Sequence, residues 1–263
     1  MSLPNNSAYA AFIKERDNRI RSNPKNKEFA DLTRNWIIES FKQKYMYNFE
    51  ALGRPVIQFP QDLIAIQEII WSVRPDVIVE TGIAHGGSTI WSAALLGLLD
   101  LIDMESKPEL APLLKKRRVV GVDIEIREHN RVAIEEHDLS NRIALIEGSS
   151  TDLSTIKQVQ DHINSDDTVL VILDSNHTHE HVLAELTLYS PLVTFGSYCV
   201  VLDTVIQNLP QGSFPDRSWE VGNNSMTAAL SFVEKHDDFL VDAAIHEKLM
   251  ITSAPHGFLK KIK

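Results

Sequence analysis

Two apolar runs in this chain each end in an aspartate: Val169-Leu170-Val171-Ile172-Leu173-Asp174 and Tyr198-Cys199-Val200-Val201-Leu202-Asp203. Short runs of this kind read as buried strands, and neighbouring strands of a sheet lie about 5 Å apart. Asp174 and Asp203 can therefore reach one cation. Carboxylate oxygens suit Mg²⁺, which binds through one or two carboxylates and keeps several waters. His177 follows in Asp174-Ser175-Asn176-His177. An imidazole titrates near neutrality, so beside such an ion it suits removal of a proton from a hydroxyl. Asp174, His177 and His181 also allow a second reading, a carboxylate and two-histidine iron site. The plain reading of the same groups is solvated strand-end acids and helix-start histidines.

A second constellation opens at Val77-Ile78-Val79-Glu80 and runs into Thr81-Gly82-Ile83-Ala84-His85-Gly86-Gly87-Ser88. Glycines between a strand and a helix let the backbone approach a ligand closely, and ligands of open parallel sheets sit at the carboxyl ends of the strands. The run is not Gly-x-Gly-x-x-Gly, because Ala84 occupies the second glycine's place, and it lacks the Gly-Lys-Ser/Thr of a P-loop. Glu80 before the turn disfavours a pyrophosphate and favours a cationic sulfonium. A structural turn is the bland alternative. The acid of Val119-Val120-Gly121-Val122-Asp123-Ile124-Glu125 can accept both hydroxyls of a ribose, with Asp123 preferred over Glu125. Gly148-Ser149-Ser150-Thr151-Asp152 falls where an adenine edge would lie, which points to Ser149, Ser150 and Asp152. Ser150 or Thr151 as a helix N-cap is a compatible reading.

These groups need a scaffold. Strands are expected at Val77–Glu80, Val119–Ile124, Ile143–Glu147, Val169–Asp174 and Tyr198–Asp203. Helices are expected at Pro60–Ser72, Ser88–Leu99, Arg127–His137, Thr151–Ile163 and Glu180–Ser190. That alternation argues for a parallel sheet covered on both faces. Asp100–Lys116, with Pro108 and Pro112, reads as an insertion. Val205–Asn224 reads as a long loop of the kind that forms lids. Ser225–Lys235 reads as a helix, and Phe239–Val241, Leu249–Thr252 and Gly257–Ile262 as strands, the last two a hairpin around Ser253–His256. Ahead of the sheet, Phe29–Met46 spaces Leu32, Trp36, Ile37, Phe41 and Tyr45 as an amphipathic helix, part of an extension that packs on the main domain or on another subunit.

The totals limit the partners. A hydrophobic share of 43% over 263 residues allows a sizeable core. A net charge of −10, with Lys115–Arg118 the one short basic cluster, disfavours a nucleic-acid partner. The single cysteine, Cys199, permits no intrachain disulfide and fits a reducing compartment. No signal peptide and no apolar run near the length of a membrane span are apparent, so a soluble, cytoplasmic chain is expected.

The order of these motifs, Glu80-Thr81-Gly82 through Gly86-Gly87-Ser88, then Asp123, Asp174-Ser175-Asn176-His177 and Leu202-Asp203-Thr204, resembles the cephalosporin hydroxylase family. That family has a methyltransferase fold and is related to macrolide sugar O-methyltransferases of the macrocin type. The resemblance runs from about Gln58 to the C-terminus and includes Gly222-Asn223-Asn224 and Pro255-His256-Gly257-Phe258-Leu259-Lys260. It implies an α/β class I methyltransferase, a doubly wound, mostly parallel seven-stranded sheet over residues 57–263, after a helical N-terminal extension over residues 1–56. It implies that Gly82, Ser88 and Asp123 contact S-adenosylmethionine, in a pocket to which Glu80, Gly86, Gly87, Ser149, Ser150 and Asp152 also belong. It implies Mg²⁺ on Asp174 and Asp203, with His177 where the sugar enzymes keep their base. Those enzymes carry Glu-Asp at the second metal position. Here the pair is Leu202-Asp203, and Thr204 becomes the candidate for a replacement oxygen.

The expected reaction is methyl transfer to a hydroxyl of a small molecule, a natural-product sugar first and a polyphenol second. Two alternatives belong to other classes: an oxidoreductase using nicotinamide or iron, and a donor-binding subunit that is itself inactive and partners another enzyme. The N-terminal arm suggests a homo-oligomer.

Overall fold

The computed structural model describes residues 7–106, 108 and 116–263. Residues 107 and 109–115 of the expected insertion, including Pro112 and the Lys115 end of the basic cluster, lie outside the described residues.

Five β-branched, apolar segments form the expected strands: β3 (Val77–Thr81), β4 (Arg118–Asp123), β5 (Ile143–Glu147), β6 (Val169–Leu173) and β7 (Tyr198–Val201). Two more, β8 (Phe239–Val241) and β9 (Phe258–Lys261), complete a seven-stranded sheet of order β5-β4-β3-β6-β7-β9-β8. The first five run parallel, and β9 is antiparallel to both its neighbours. Parallel strands feeding helices on alternate faces make this a doubly wound sheet.

Side chains alternate between the faces along each strand. Val77, Val79, Val120, Val122, Val171 and Leu173 point to one core, covered by α6 (Leu153–Gln160), α7 (His179–Tyr189) and α8 (Ser225–Lys235). Ile78, Val119, Leu170 and Ile172 point to the other, covered by α3 (Pro60–Val73) and α4 (Gly87–Ser106). Cys199 is fully buried between strands, and burial pushes its thiol pKa up. It is a packing residue.

Three expectations are corrected here. The helix after the glycine turn runs to Ser106, not Leu99. Asp100, read as the start of an insertion, is a buried helical residue that accepts hydrogen bonds from Arg117 and Arg142. At 20 residues, α4 is long and apolar enough to cross a membrane by length and composition. Ile90, Ala93, Leu96 and Leu99 are nevertheless buried in the core. Finally, Leu249–Thr252 is not a strand. Residues Ala243–Leu249 form helix α9, Met250 turns it off with a φ of 59°, and β9 pairs with β7 and β8 instead. Asp62 of α3 fixes the turn that follows, accepting hydrogen bonds from the Thr252 hydroxyl and from the Ser253 amide and hydroxyl.

The N-terminal extension is more structured than its polar composition suggests. It holds α1 (Ser7–Ser22), α2 (Lys27–Lys42) and a hairpin of β1 (Phe49–Ala51) and β2 (Arg54–Val56). Helix α2 stops at Lys42 rather than Met46, because Lys44 takes a left-handed conformation. Trp36, Phe41 and Tyr45 then pack around the fully buried ring of Phe59, at centroid distances of 5.8, 5.9 and 6.3 Å. The extension is thereby fastened to the sheet domain.

Candidate functional site

The sheet register brings the candidate groups to one edge. Thr81 pairs with Leu173 across β3 and β6. One step beyond the paired residues, the amides of Gly82, Asp174 and Leu202 still donate to Val122, Thr81 and Leu173 at 2.8, 2.9 and 3.0 Å. The glycine turn, Asp174 and Asp203 therefore stand level at the carboxyl ends of three adjacent strands.

Gly82 has a φ of +81°, and a Cβ there would collide with the carbonyl of Asp174. A glycine is required on both counts. Gly87 is pressed against the Pro55 carbonyl of β2 in the same way. Arg54 donates twice to the His85 carbonyl, at 2.8 and 3.0 Å, and Asn130 donates to the Ala84 carbonyl at 3.1 Å. The lip of the turn is thus clamped from two sides. His85 serves in that clamp through its backbone.

Asp123 accepts from the amides of Ile83 and Ala84 through one oxygen, at 3.0 and 3.1 Å. It stiffens the turn, while its other oxygen accepts from the Glu125 amide at 3.4 Å. Glu80 is fully buried beneath the turn, where Thr89 donates to it at 2.8 Å. Burial is the main cause of its pKa rising to about 6. Its charge acts through the turn and not by direct contact with the cleft.

Asp174, His177 and Asp203 offer ligand atoms that all lie within 4.8 Å of one another. His177 Nε2 is 3.0 Å from Asp203 Oδ2. Asp203 itself has a φ of 55°, a left-handed conformation that aspartate tolerates better than most residues and that often marks a functional position. Burial first, and the neighbouring carboxylates of Asp203 and Glu80 next, hold Asp174 well above the usual carboxylate range. A shared divalent cation would relieve that repulsion, so the donor set fits one.

The remaining predicted residues fall in different places. Leu202 is buried in the apolar core. Thr204 is fully buried and donates to the Pro255 carbonyl at 2.6 Å, so its hydroxyl anchors the C-terminal segment instead of reaching toward the carboxylates. The alternative iron set does not assemble: His181 Nε2 turns to Ser150 and Ser175, each at 3.1 Å. Ser149 bonds with Thr151 at 3.0 Å, and the N-cap position of α6 belongs to Asp152 and not to Ser150 or Thr151.

A cavity of about 590 Å³ opens over Gly82, Asp174, His177 and Asp203. Its far wall comes from α2 and the long loop, with Phe41, Phe214 and Trp219 among its residues. Phe41 and Phe214 meet edge to face at 6.0 Å, so the N-terminal extension and the loop form one wall. Trp219 packs edge-on against the His177 ring at 4.8 Å, and Arg217 covers the Trp219 face at 5.1 Å. A smaller adjoining cavity follows the turn along Gly82, Ala84, Gly87 and Ser88. Neither is lined by Asp123 or by residues 148–152.

Gln58 lines both cavities beside Asp174. It is 4% exposed, and among the described residues neither of its amide atoms makes a hydrogen bond of good geometry. A buried, unsatisfied amide facing a cavity calls for a ligand. This fits a donor with an amino acid end. Sequence reasoning missed Gln58, Phe41, Phe214 and Trp219. The available signal for Gln58 was a polar residue set between Ile57 and Phe59, just ahead of a helix.

The profile of a family described as Rhamnosyl O-methyltransferase/CmcI matches residues 43–262. The rhamnosyl O-methyltransferase of Mycobacterium tuberculosis (strain ATCC 25618 / H37Rv) is 30% identical over 203 residues, covering 75% of this chain and 72% of that protein. Its counterpart in Mycobacterium leprae (strain TN) is 26% identical over 233 residues, covering 85% and 90%. Among solved structures, apo CmcI superimposes with a TM-score of 0.53 at 17% identity, over 82% of this chain and 77% of that one. CmcI with Mg and SAM gives 0.51 at 16%, over 82% and 78%. At such identities the structural likeness speaks for the fold.

Proposed function

The chain belongs to the Rhamnosyl O-methyltransferase/CmcI family of S-adenosylmethionine-dependent O-methyltransferases, and from that premise we propose that it methylates a sugar hydroxyl with the help of a divalent cation. The observation that carries this reading is the convergence of Asp174, His177 and Asp203 within 4.8 Å, at the floor of a cavity that adjoins the glycine turn.

S-adenosylmethionine supplies an electrophilic methyl group, and a cation on Asp174 and Asp203 would supply Lewis-acid polarisation of the acceptor oxygen. The chain's own residues do the rest. Gly82, Gly86, Gly87 and Ser88 shape the turn that holds the amino acid end of the donor, with Gln58 as a further polar contact. Glu80, sealed below, places a carboxylate near the sulfonium. With the donor bound, Asp123 would receive the ribose, and the loop of Ser149, Ser150 and Asp152, which lies outside the two cavities, would flank the adenine.

His177 takes the proton of the acceptor hydroxyl onto its imidazole. Asp203, 3.0 Å from Nε2, stabilises the imidazolium that forms. Trp219 and Phe214 present aromatic surface against which a sugar ring can pack, and they keep water from the reacting oxygen. Holding the hydroxyl in line with the methyl is where most of the acceleration arises, up to about 7–11 kcal/mol from positioning alone. The sugar assignment is supported by the names of the mycobacterial relatives.

The test is methyl transfer from labelled donor to a panel of rhamnosides, other glycosides and catechols, beside thermal melts with S-adenosylhomocysteine and with NAD(H). The proposal expects stabilisation by S-adenosylhomocysteine alone and label on a glycoside. Label confined to catechols would overturn the sugar assignment. Stabilisation by NAD(H) and not by S-adenosylhomocysteine would overturn the donor.

A further inference from the structure

Beneath the site lies a polar chain whose His181 and Glu185 the reaction described above does not use. Glu185, on α7, is fully buried. Ser175, the residue after Asp174, donates its hydroxyl to Glu185 Oε1 at 2.7 Å. His181 stands one turn before Glu185 on the same helix face, with Nε2 3.1 Å from the Ser175 hydroxyl and 3.1 Å from that of Ser150. Ser150 belongs to the loop after β5, and Ser175 to the loop after β6. One imidazole therefore bridges the loop assigned to the donor's adenine and the loop that carries Asp174 and His177.

The hydrogens can be counted. Ser175 has one, and it goes to Glu185. Toward His181, Ser175 can only accept, so Nε2 carries the proton. The same N–H reaches Ser150, whose hydroxyl hydrogen is left for a partner on the donor side. A carboxylate buried where an aliphatic side chain would pack is costly, and among the described residues Glu185 Oε2 has no hydrogen-bond partner. Such a chain is more than packing requires. It gives two loops from separate strands a common fixed point, so that ordering one orders the other.

We propose that His181 is a positioning residue that couples donor binding to the ion and base loop, acting through Ser150 and Ser175. The inference rests on the reading of Ser150 as a donor-pocket residue. Coupling between two sites is reciprocal, so it can be read from either one.

The experiment measures Mn²⁺ binding to the full chain by electron paramagnetic resonance, with and without saturating S-adenosylhomocysteine. In the wild type the donor product should tighten Mn²⁺ binding at least fivefold. In His181→Ala that ratio should fall below twofold, whatever happens to the separate affinities. His181→Gln, whose amide N–H can take the place of Nε2–H, should recover most of it. A general loss of stability would weaken both ligands and leave the ratio alone. Ser150→Ala cuts the same chain from the other end and should also lose the ratio, which keeps the test open if His181→Ala folds poorly. An undiminished ratio in His181→Ala and Ser150→Ala, or two ligands that bind independently in the wild type, would overturn the coupling and leave the proposed function standing. A wild type that binds neither ligand would take down both.

Discussion

His177 Nε2 lies 3.0 Å from Asp203 Oδ2, and the edge of Trp219 closes the other side of the imidazole. A ring held by a carboxylate on one side and an aromatic on the other is restrained in orientation. His177→Ala should lower kcat by about 10²–10⁴, the usual contribution of a positioned base. Calorimetry should find S-adenosylhomocysteine affinity within about twofold of wild type. Turnover close to wild type would remove His177 from the reaction.

The close approach of Gly82 to the Asp174 carbonyl makes a second prediction. Gly82→Ala adds a methyl group where backbone already stands, at a φ of +81°. The strain of a left-handed non-glycine residue is about 1–3 kcal/mol, and the collision adds to it. Thermal melts should show a lowered Tm, and the variant should lose the stabilisation by S-adenosylhomocysteine. A variant that melts and binds like the wild type would contradict the packing described here.

Glu80 gives a pH dependence with a definite sign. Burial raises its pKa from 4.5 to about 6. The folded state thus holds this proton more tightly than the unfolded state does. The favourable contribution is complete below about pH 4.5 and is lost as pH rises through 6, a difference of about 2 kcal/mol. Asp62, raised from 3.8 to about 6, acts in the same direction. Glu80→Gln, which carries no titrating charge, should show a shallower fall in unfolding free energy between pH 4.5 and 7 in urea titrations. It should also bind S-adenosylmethionine less tightly relative to the uncharged S-adenosylhomocysteine. Superimposable stability profiles would mean that Glu80 is not held above its ordinary value.

With Leu202 buried in the core and the Thr204 hydroxyl donated to Pro255, an ion bound here would have two carboxylates and an adjacent imidazole. Two carboxylates are enough for an ion that keeps most of its waters. Thorough chelation should abolish turnover, and added Mg²⁺ or Mn²⁺ should restore it. Asp174→Asn should bind Mn²⁺ at least tenfold more weakly. Full activity after chelation would show that the cluster works without an ion.

Much of the scaffold was legible because it is local. β3 to β7 are short β-branched runs, and their ends, Thr81, Asp123, Glu147, Leu173 and Val201, fall within a residue or two of where apolar patterning puts them. The sequence pattern failed where distant contacts decide. Leu249-Met250-Ile251-Thr252 is a short, mostly apolar run that reads as a strand, yet Asp62, nearly two hundred positions away, captures Thr252 and Ser253 and ends the segment as a turn. Residues Ser7–Ser22 have too little apolar spacing to announce a helix, and Arg54 reads as a surface charge until it is seen holding the glycine turn. The candidate site divides the same way. Strand-end acids and the glycine turn declare themselves by position, whereas Gln58, Trp219 and the buried Ser150-His181-Ser175-Glu185 chain exist only once loops from separate strands have met.

The central claim is geometric, and a crystal of the protein grown with S-adenosylhomocysteine and Mn²⁺ tests it most directly. The account predicts one anomalous peak between the Asp174 and Asp203 carboxylates, with the sulfur of the bound product beside the glycine turn and the His177 imidazole facing the space between them. A peak elsewhere, or a product bound away from that turn, would contradict it.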